Sequence, residues 1–126
     1  MATALFHGAH STLTIGHEGQ CFVDEYDRAE CYGRNVFGAV LDLDALNVER
    51  CDGYDHTTNE APADCAEFRA AAAARGVDVL VYDDADECGR EHTCWRLVSD
   101  RAVEMVRASG VEIDDEDEAY DFEMAA

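Results

Sequence analysis

The chain has 126 residues, of which 29 are acidic and nine basic, giving a net charge of −20 alongside 48% hydrophobic content. This length makes one domain with a modest core, and the apolar fraction excludes a disordered acidic polymer. The charge excludes a nucleic-acid backbone as a direct partner, because phosphates would be repelled.

All nine basic residues are arginine. A basic protein surface would be attracted, with fast and salt-sensitive association. Adaptation for solubility or high salt accounts for the same charge without a partner. The opening MATALFHG lacks the basic n-region of a signal peptide, and no apolar run is long enough to span a bilayer. The expectation is a cytoplasmic protein with no membrane partner, whose six cysteines are free thiols. Cys88, His92 and Cys94 lie close in sequence, as do Cys21 and Cys31, but no CxxC pair occurs, so no metal is expected.

In chain order, residues 4–6 read as a short strand ending at His7-Gly8. Residues 10–18 read as a polar loop and 20–23 as a second short strand. Asp24 is a candidate helix cap with Asp27 in the first turn, Tyr26, Ala29 and Tyr32 share one helical face, and Gly33 suits a left-handed close. In the next segment Phe37, Ala39, Leu41 and Leu43 alternate, as in a strand with one buried face. Residues 48–59 are polar and aperiodic, a loop. Pro62 fits the first turn of a helix, and the alanine-rich stretch 63–75 continues it up to Gly76. Residues 77–82 are a β-branched run, read as a buried strand. An acidic turn over 83–90 then leads to another strand over 92–98. Ser99 or Asp100 caps a helix over 101–107, stopped by Gly110. The domain proper is thus 1–110, and the acidic tail 111–126, with Tyr120 and Phe122, is expected to fray. This irregular succession of strands and helices predicts an α+β fold.

Three segments carry candidate chemistry. The first is Leu5-Phe6-His7-Gly8, where an imidazole and an open backbone meet at a strand end. The second runs from Phe22 through Tyr26 to Ala29-Glu30-Cys31-Tyr32-Gly33, and its aromatics would otherwise simply pack the core. The third joins Gly76-Val77-Asp78-Val79-Leu80-Val81-Tyr82-Asp83-Asp84 to the strand after Glu91, delivering carboxylates that would otherwise be solvated turn charges.

Taken together, these segments resemble the ADP-ribosyltransferase superfamily in its His-Tyr-Glu branch. The likeness covers about the first hundred residues and extends to the ADP-ribosylating anti-CRISPR proteins of phages, which have a similar Thr-Cys-aromatic strand, here Thr93-Cys94-Trp95. The resemblance implies a small split antiparallel β-sheet with a few short helices, and NAD as the bound cofactor. It implies cofactor contacts from His7, Gly8, Phe22, Tyr32 and Tyr26. It also implies a catalytic carboxylate, open between Asp83, Glu91 and Asp84, because Cys94 stands where the family usually has Glu.

Cleaving the nicotinamide–ribose bond develops positive charge on the ribose, which a nearby carboxylate stabilises more in the transition state than before it. The expected function is mono-ADP-ribosyl transfer from NAD to a protein, a glycosyl-transfer reaction. Its most specific form is a phage-encoded effector that inactivates a host nucleic-acid-binding, CRISPR-type complex. The alternative is a non-enzymatic acidic protein that mimics DNA and binds a basic partner surface.

Overall fold

The computed structural model describes residues 2–11, 14–85 and 90–126. Its strands are β1 (Ala2–Ala9), β2 (Cys21–Val23), β3 (Asn35–Asp42), β4 (Val48–Arg50), β5 (Val79–Ala85), β6 (Glu91–Leu97) and β7 (Val111–Ile113). Its helices are α1 (Tyr26–Tyr32), α2 (Ala66–Ala74), α3 (Asp100–Ser109) and α4 (Glu116–Ala125), with a short 3-10 turn at Pro62–Asp64.

The strands form one sheet in the order β4-β5-β6-β2-β1-β3-β7, and with the four helices they make the α+β fold read from the sequence. Every neighbouring pair is antiparallel except β4-β5, where Val48, Glu49 and Arg50 run parallel to Val79, Leu80 and Val81. The expected split antiparallel sheet thus includes one parallel pair, and the expectation of a loop over 48–59 is corrected at residues 48–50, which form β4. A strand of three residues is too short to display a period.

Strand alternation sorts the side chains onto two faces. Phe6, Val23, Val36, Leu80, Tyr82, Cys94 and Ile113 lie on one, covered by Tyr26 and Ala29 of α1, Ala72 of α2, and Ala119 and Phe122 of α4. Leu5, Phe22, Phe37, Ala39, Leu41, Val79, Val81 and Leu97 lie on the other, covered by Ala102, Val103 and Val106 of α3. Each fully buried large side chain contributes about 1.5–3 kcal/mol. Buried Asp78 ties segments together at one end of the sheet: its carboxylate accepts from Asn47 N (2.8 Å) and Ser99 Oγ (2.5 Å), and Arg101 approaches to 3.5 Å.

Helix ends follow local chemistry. Ser99 caps α3 by accepting from the Ala102 N–H. Gly76, at φ +85°, supplies the left-handed turn after α2. At α1 the N-cap is Glu25, not Asp24, and no side chain bonds there. Gly33 follows α1 with near-extended backbone (φ 159°, ψ 153°), so the expected left-handed close does not form. Its lack of a side chain serves packing instead, since a Cβ would sit 2.0 Å from the Ala9 carbonyl carbon.

The segment read as a fraying tail is part of the fold. β7 extends the sheet beside β3. Asp115 caps α4 by accepting from the Glu118 N–H at 2.8 Å, and acids at 116–118 suit the helix N-terminus. Phe122 packs 6.0 Å from the Phe6 ring and covers Gly38. Strand β5 also runs further than read, through Asp83 and Asp84. Of the expected acidic turn, residues 86–89 lie outside the described residues. Among the described residues no helix is long and apolar enough to cross a membrane, and Cys21, Cys31, Cys51, Cys65 and Cys94 are free thiols.

Candidate functional site

The sheet is weakest in its middle. β1 and β3 pair along their full length, whereas β1 and β2 pair only at Phe6–Val23. Beyond that point β1 separates from the β2-β6-β5 half. A cleft of about 210 Å³ lies at the split, bordered by Phe6, His7 and Gly8 of β1, Cys21 and Val23 of β2, Ala29 and Tyr32 of α1, Tyr82 and Asp84 of β5, and Cys94 and Arg96 of β6.

Register explains this gathering. His92, Cys94 and Arg96 alternate onto the cleft face of β6, where Asp84, Tyr82 and Leu80 stand opposite them on β5. On the other flank Cys21 stands opposite Arg96, and Val23 opposite Cys94. The Arg96 guanidinium donates to Tyr82 Oη (2.7 Å) and the Gly19 carbonyl (2.9 Å) and is ion-paired with Asp64. Tyr32, 43% exposed at the end of α1, shares a 2.8 Å hydrogen bond with His92 Nε2, linking helix to sheet across the cleft. His92 is itself only 8% exposed, and its Nδ1 has no hydrogen-bond partner among the described residues.

The Cys21 sulfur lies 3.7 Å from Tyr82 Oη. The neighbouring Cys94 thiol lowers Cys21 to about 7 against the effect of burial, with Arg96 and Tyr82 assisting, and the proximity of Cys21 together with burial pushes Cys94 up. Burial pushes the Tyr82 hydroxyl up.

Of the residues singled out by sequence, Gly8, Tyr32 and Asp84 lie together on this cleft, with His7 at its border. Gly8 differs from its expected part as an open approach for a ligand. A Cβ there would lie 1.9 Å from the Ala29 carbonyl oxygen, so the missing side chain is what allows α1 to lie against β1. The His7 ring turns to the opposite face, with centroids 5.7 Å from Phe22 and 5.4 Å from Phe37, while Nδ1–H donates to the Cys21 carbonyl at 2.5 Å. His7 therefore bridges β1 to β2 where their ladder stops. Burial holds its imidazole below the ordinary value, the bond to Cys21 opposes this, and the nearby His17 and Arg96 charges add to it.

Phe22 is fully buried on the α3 side, and Tyr26 is buried edge-on to Phe6 at 6.2 Å; neither borders the cleft. Asp83 points away from it, bonded to Arg50 at 3.1 Å and Thr93 at 3.2 Å. Glu91 is exposed beside Gly53, Tyr54 and Asp83 on a separate shallow surface that Asp84 also borders.

Sequence reasoning missed Tyr82, Cys94, Arg96 and His92 as partners in the site. The signal was the period-two pattern His92-x-Cys94-x-Arg96 beside Tyr82-x-Asp84, which places all five on one face once the two strands pair.

No protein-family model matches the chain, and no curated protein and no solved structure matches it.

Proposed function

We propose that the cleft binds the nicotinamide-ribose end of NAD and that the domain transfers ADP-ribose to a protein. The observation that carries this reading is the meeting of Gly8, Tyr32 and Asp84, three residues of the family resemblance from three distant segments, on one cleft.

The cleft fits that end of the ligand in size and in donor set. At about 210 Å³ it is smaller than the roughly 300–1,000 Å³ of sites for drug-sized ligands, so a ring and a sugar enter and the remainder lies over the mouth. Phe6, Val23 and Ala29 offer apolar wall, Tyr32 an aromatic surface at the rim, and past Phe6 the β2-side edge of β1 has no ladder partner among the described residues. Asp84 supplies the negative charge. As nicotinamide leaves with the bonding electron pair, the Asp84 carboxylate stabilises the positive charge on the ribose until a nucleophile of the target closes the new bond. NAD is the only cofactor this chemistry requires.

The net charge of −20 favours a basic target, in keeping with a nucleic-acid-binding complex of the CRISPR type as the most specific form of the reading. A binding-only inhibitor that mimics DNA is favoured by a different feature. The α1–α4 surface sets Asp24, Glu25, Asp27, Glu116 and Glu123 around Tyr26 and Tyr120, and such a surface would engage a basic groove without NAD.

The test is NAD titration and ADP-ribose transfer across three variants. Asp84→Asn should keep NAD binding and lose transfer by about 10²-fold or more, the scale of a lost transition-state contact. Asp83→Asn and Glu91→Gln should transfer at wild-type rates. Wild type that neither binds nor cleaves NAD overturns the reading in favour of the binding-only inhibitor.

A further inference from the structure

His92 is the least explained group in the cleft. Its Nε2 is engaged by Tyr32 Oη at 2.8 Å, and its Nδ1 has no partner among the described residues although His92 is only 8% exposed. A buried ring nitrogen without a partner costs about 1–3 kcal/mol. In the tautomer whose Nε2–H donates to Tyr32 Oη, Nδ1 presents a bare lone pair.

Two further donors stand beside it. Asp84 is directly opposite His92 in the β5–β6 ladder, and Cys94 is two residues along on the same face of β6. A ring nitrogen of His92, a carboxylate oxygen of Asp84 and the Cys94 sulfur all lie within 4.8 Å of one another. We propose that Asp84, His92 and Cys94 form a binding site for a divalent transition metal, with Zn²⁺ the ion of best fit.

The donor set selects the class of ion. Mg²⁺ and Ca²⁺ take oxygen ligands, and a site with one thiolate and one imidazole favours Zn²⁺ and its neighbours. Bond lengths of about 2.0–2.3 Å in a tetrahedral site put ligand atoms about 3.3–3.6 Å apart. Closing from separations of up to 4.8 Å takes at most about 1.5 Å of movement. Asp84, the exposed member of the three, is the one freest to move toward buried His92 and Cys94. The outer contacts suit a metal as well. Tyr32 fixes the His92 ring through the nitrogen not used for coordination, as metal-bound imidazoles are usually fixed. Coordination takes the proton from Cys94, so binding releases one proton from that thiol to solvent. Three protein ligands leave the fourth position open to the cleft, the pattern of metal sites that act on a ligand.

This site stands apart from the NAD reading although both use Asp84, and the experiment contains no NAD. Reduced protein is titrated with Zn²⁺ against a chromophoric chelator, and with Co²⁺ while recording the visible and near-ultraviolet spectrum. One ion per chain is expected, with a thiolate-to-cobalt charge-transfer band. Cys94→Ser should abolish that band, and His92→Gln and Asp84→Asn should each weaken binding by at least about tenfold, while exposed Cys31→Ser should change nothing. Asp84 is at a solvent-exposed strand end, so Asp84→Asn remains decisive if a substitution at buried Cys94 impairs folding. Zn²⁺ binding unaffected by Asp84→Asn and His92→Gln, a cobalt complex without the sulfur band, or no binding by wild type would each overturn the proposal.

Discussion

Replacing Gly8 with alanine separates a packing role from a ligand role. The added methyl would lie 1.9 Å from the Ala29 carbonyl oxygen, where ordinary contact begins at 3.4 Å, so α1 would have to withdraw by about 1.5 Å. Both partners are backbone, and no side-chain rotation relieves the overlap. Withdrawal loosens the edge-on packing of Tyr26 on Phe6 and draws Tyr32 from His92. Overpacking of this kind costs about 1–3 kcal/mol. Near 4 °C per kcal/mol for a domain of this size, the melting temperature should fall by about 4–12 °C. Urea denaturation followed by circular dichroism should show a lower midpoint at unchanged slope. A Gly8→Ala variant that melts within a degree of wild type would refute the reasoning. If that variant had also lost NAD binding, Gly8 would serve the ligand and not the helix.

Three further outcomes are expected. Because burial depresses the His7 imidazole, the unfolded chain takes up that proton first as pH falls through about 6.5, so stability is complete above that pH and declines below it. His7→Phe keeps a ring against Phe22 and Phe37 and should flatten the decline between pH 7 and 5 in urea titrations; an unchanged slope would count against it. Asp78→Ala strands the Asn47 N–H and Ser99 hydroxyl, both partly buried, and should cost about 1–3 kcal/mol in the same assay, where no measurable cost would contradict the network. If metal and NAD both claim Asp84, saturating Zn²⁺ should suppress ADP-ribose transfer by wild type and leave Cys94→Ser untouched. Equal inhibition of both proteins would show that the metal acts elsewhere.

Much of the architecture was legible because the signals were local. The alternation Phe37-Ala39-Leu41 marked β3, the alanine run before Gly76 marked α2, and Ser99 marked the start of α3. The C-terminal segment was misread because its composition is that of a solvated tail. Only Ile113, Ala119 and Phe122 carry its burial, and what holds it is the open edge of β3 and the Phe6 ring, both far away in sequence. The candidate site divides in the same way. Alternation along β5 fixed that Asp83 shares a side with Val79 and Val81 and that Asp84 faces the other way. Which of those sides holds the cleft depended on where α1 and α3 pack, and no local pattern encodes that. Tyr32 was legible from its helical spacing to Ala29. His92 and Cys94 gained meaning only once β6 paired with Asp84 across the ladder.

The central position of β1 has a consequence for biosynthesis. The first strand of this domain to leave a ribosome sits between β2 and β3, and those three strands are complete within 42 residues. The strands that cover their two outer edges, β6 and β7, begin at Glu91 and Val111. At about 5–20 residues per second, the nascent three-stranded piece waits roughly 2–10 s with both edges open to pairing with other chains, and its β3 edge stays open for roughly 3–14 s. The acids of α1, emerging with these strands at Asp27 and Glu30, repel like copies during that interval. High negative charge would then protect the domain before it folds as well as shape what it meets afterwards.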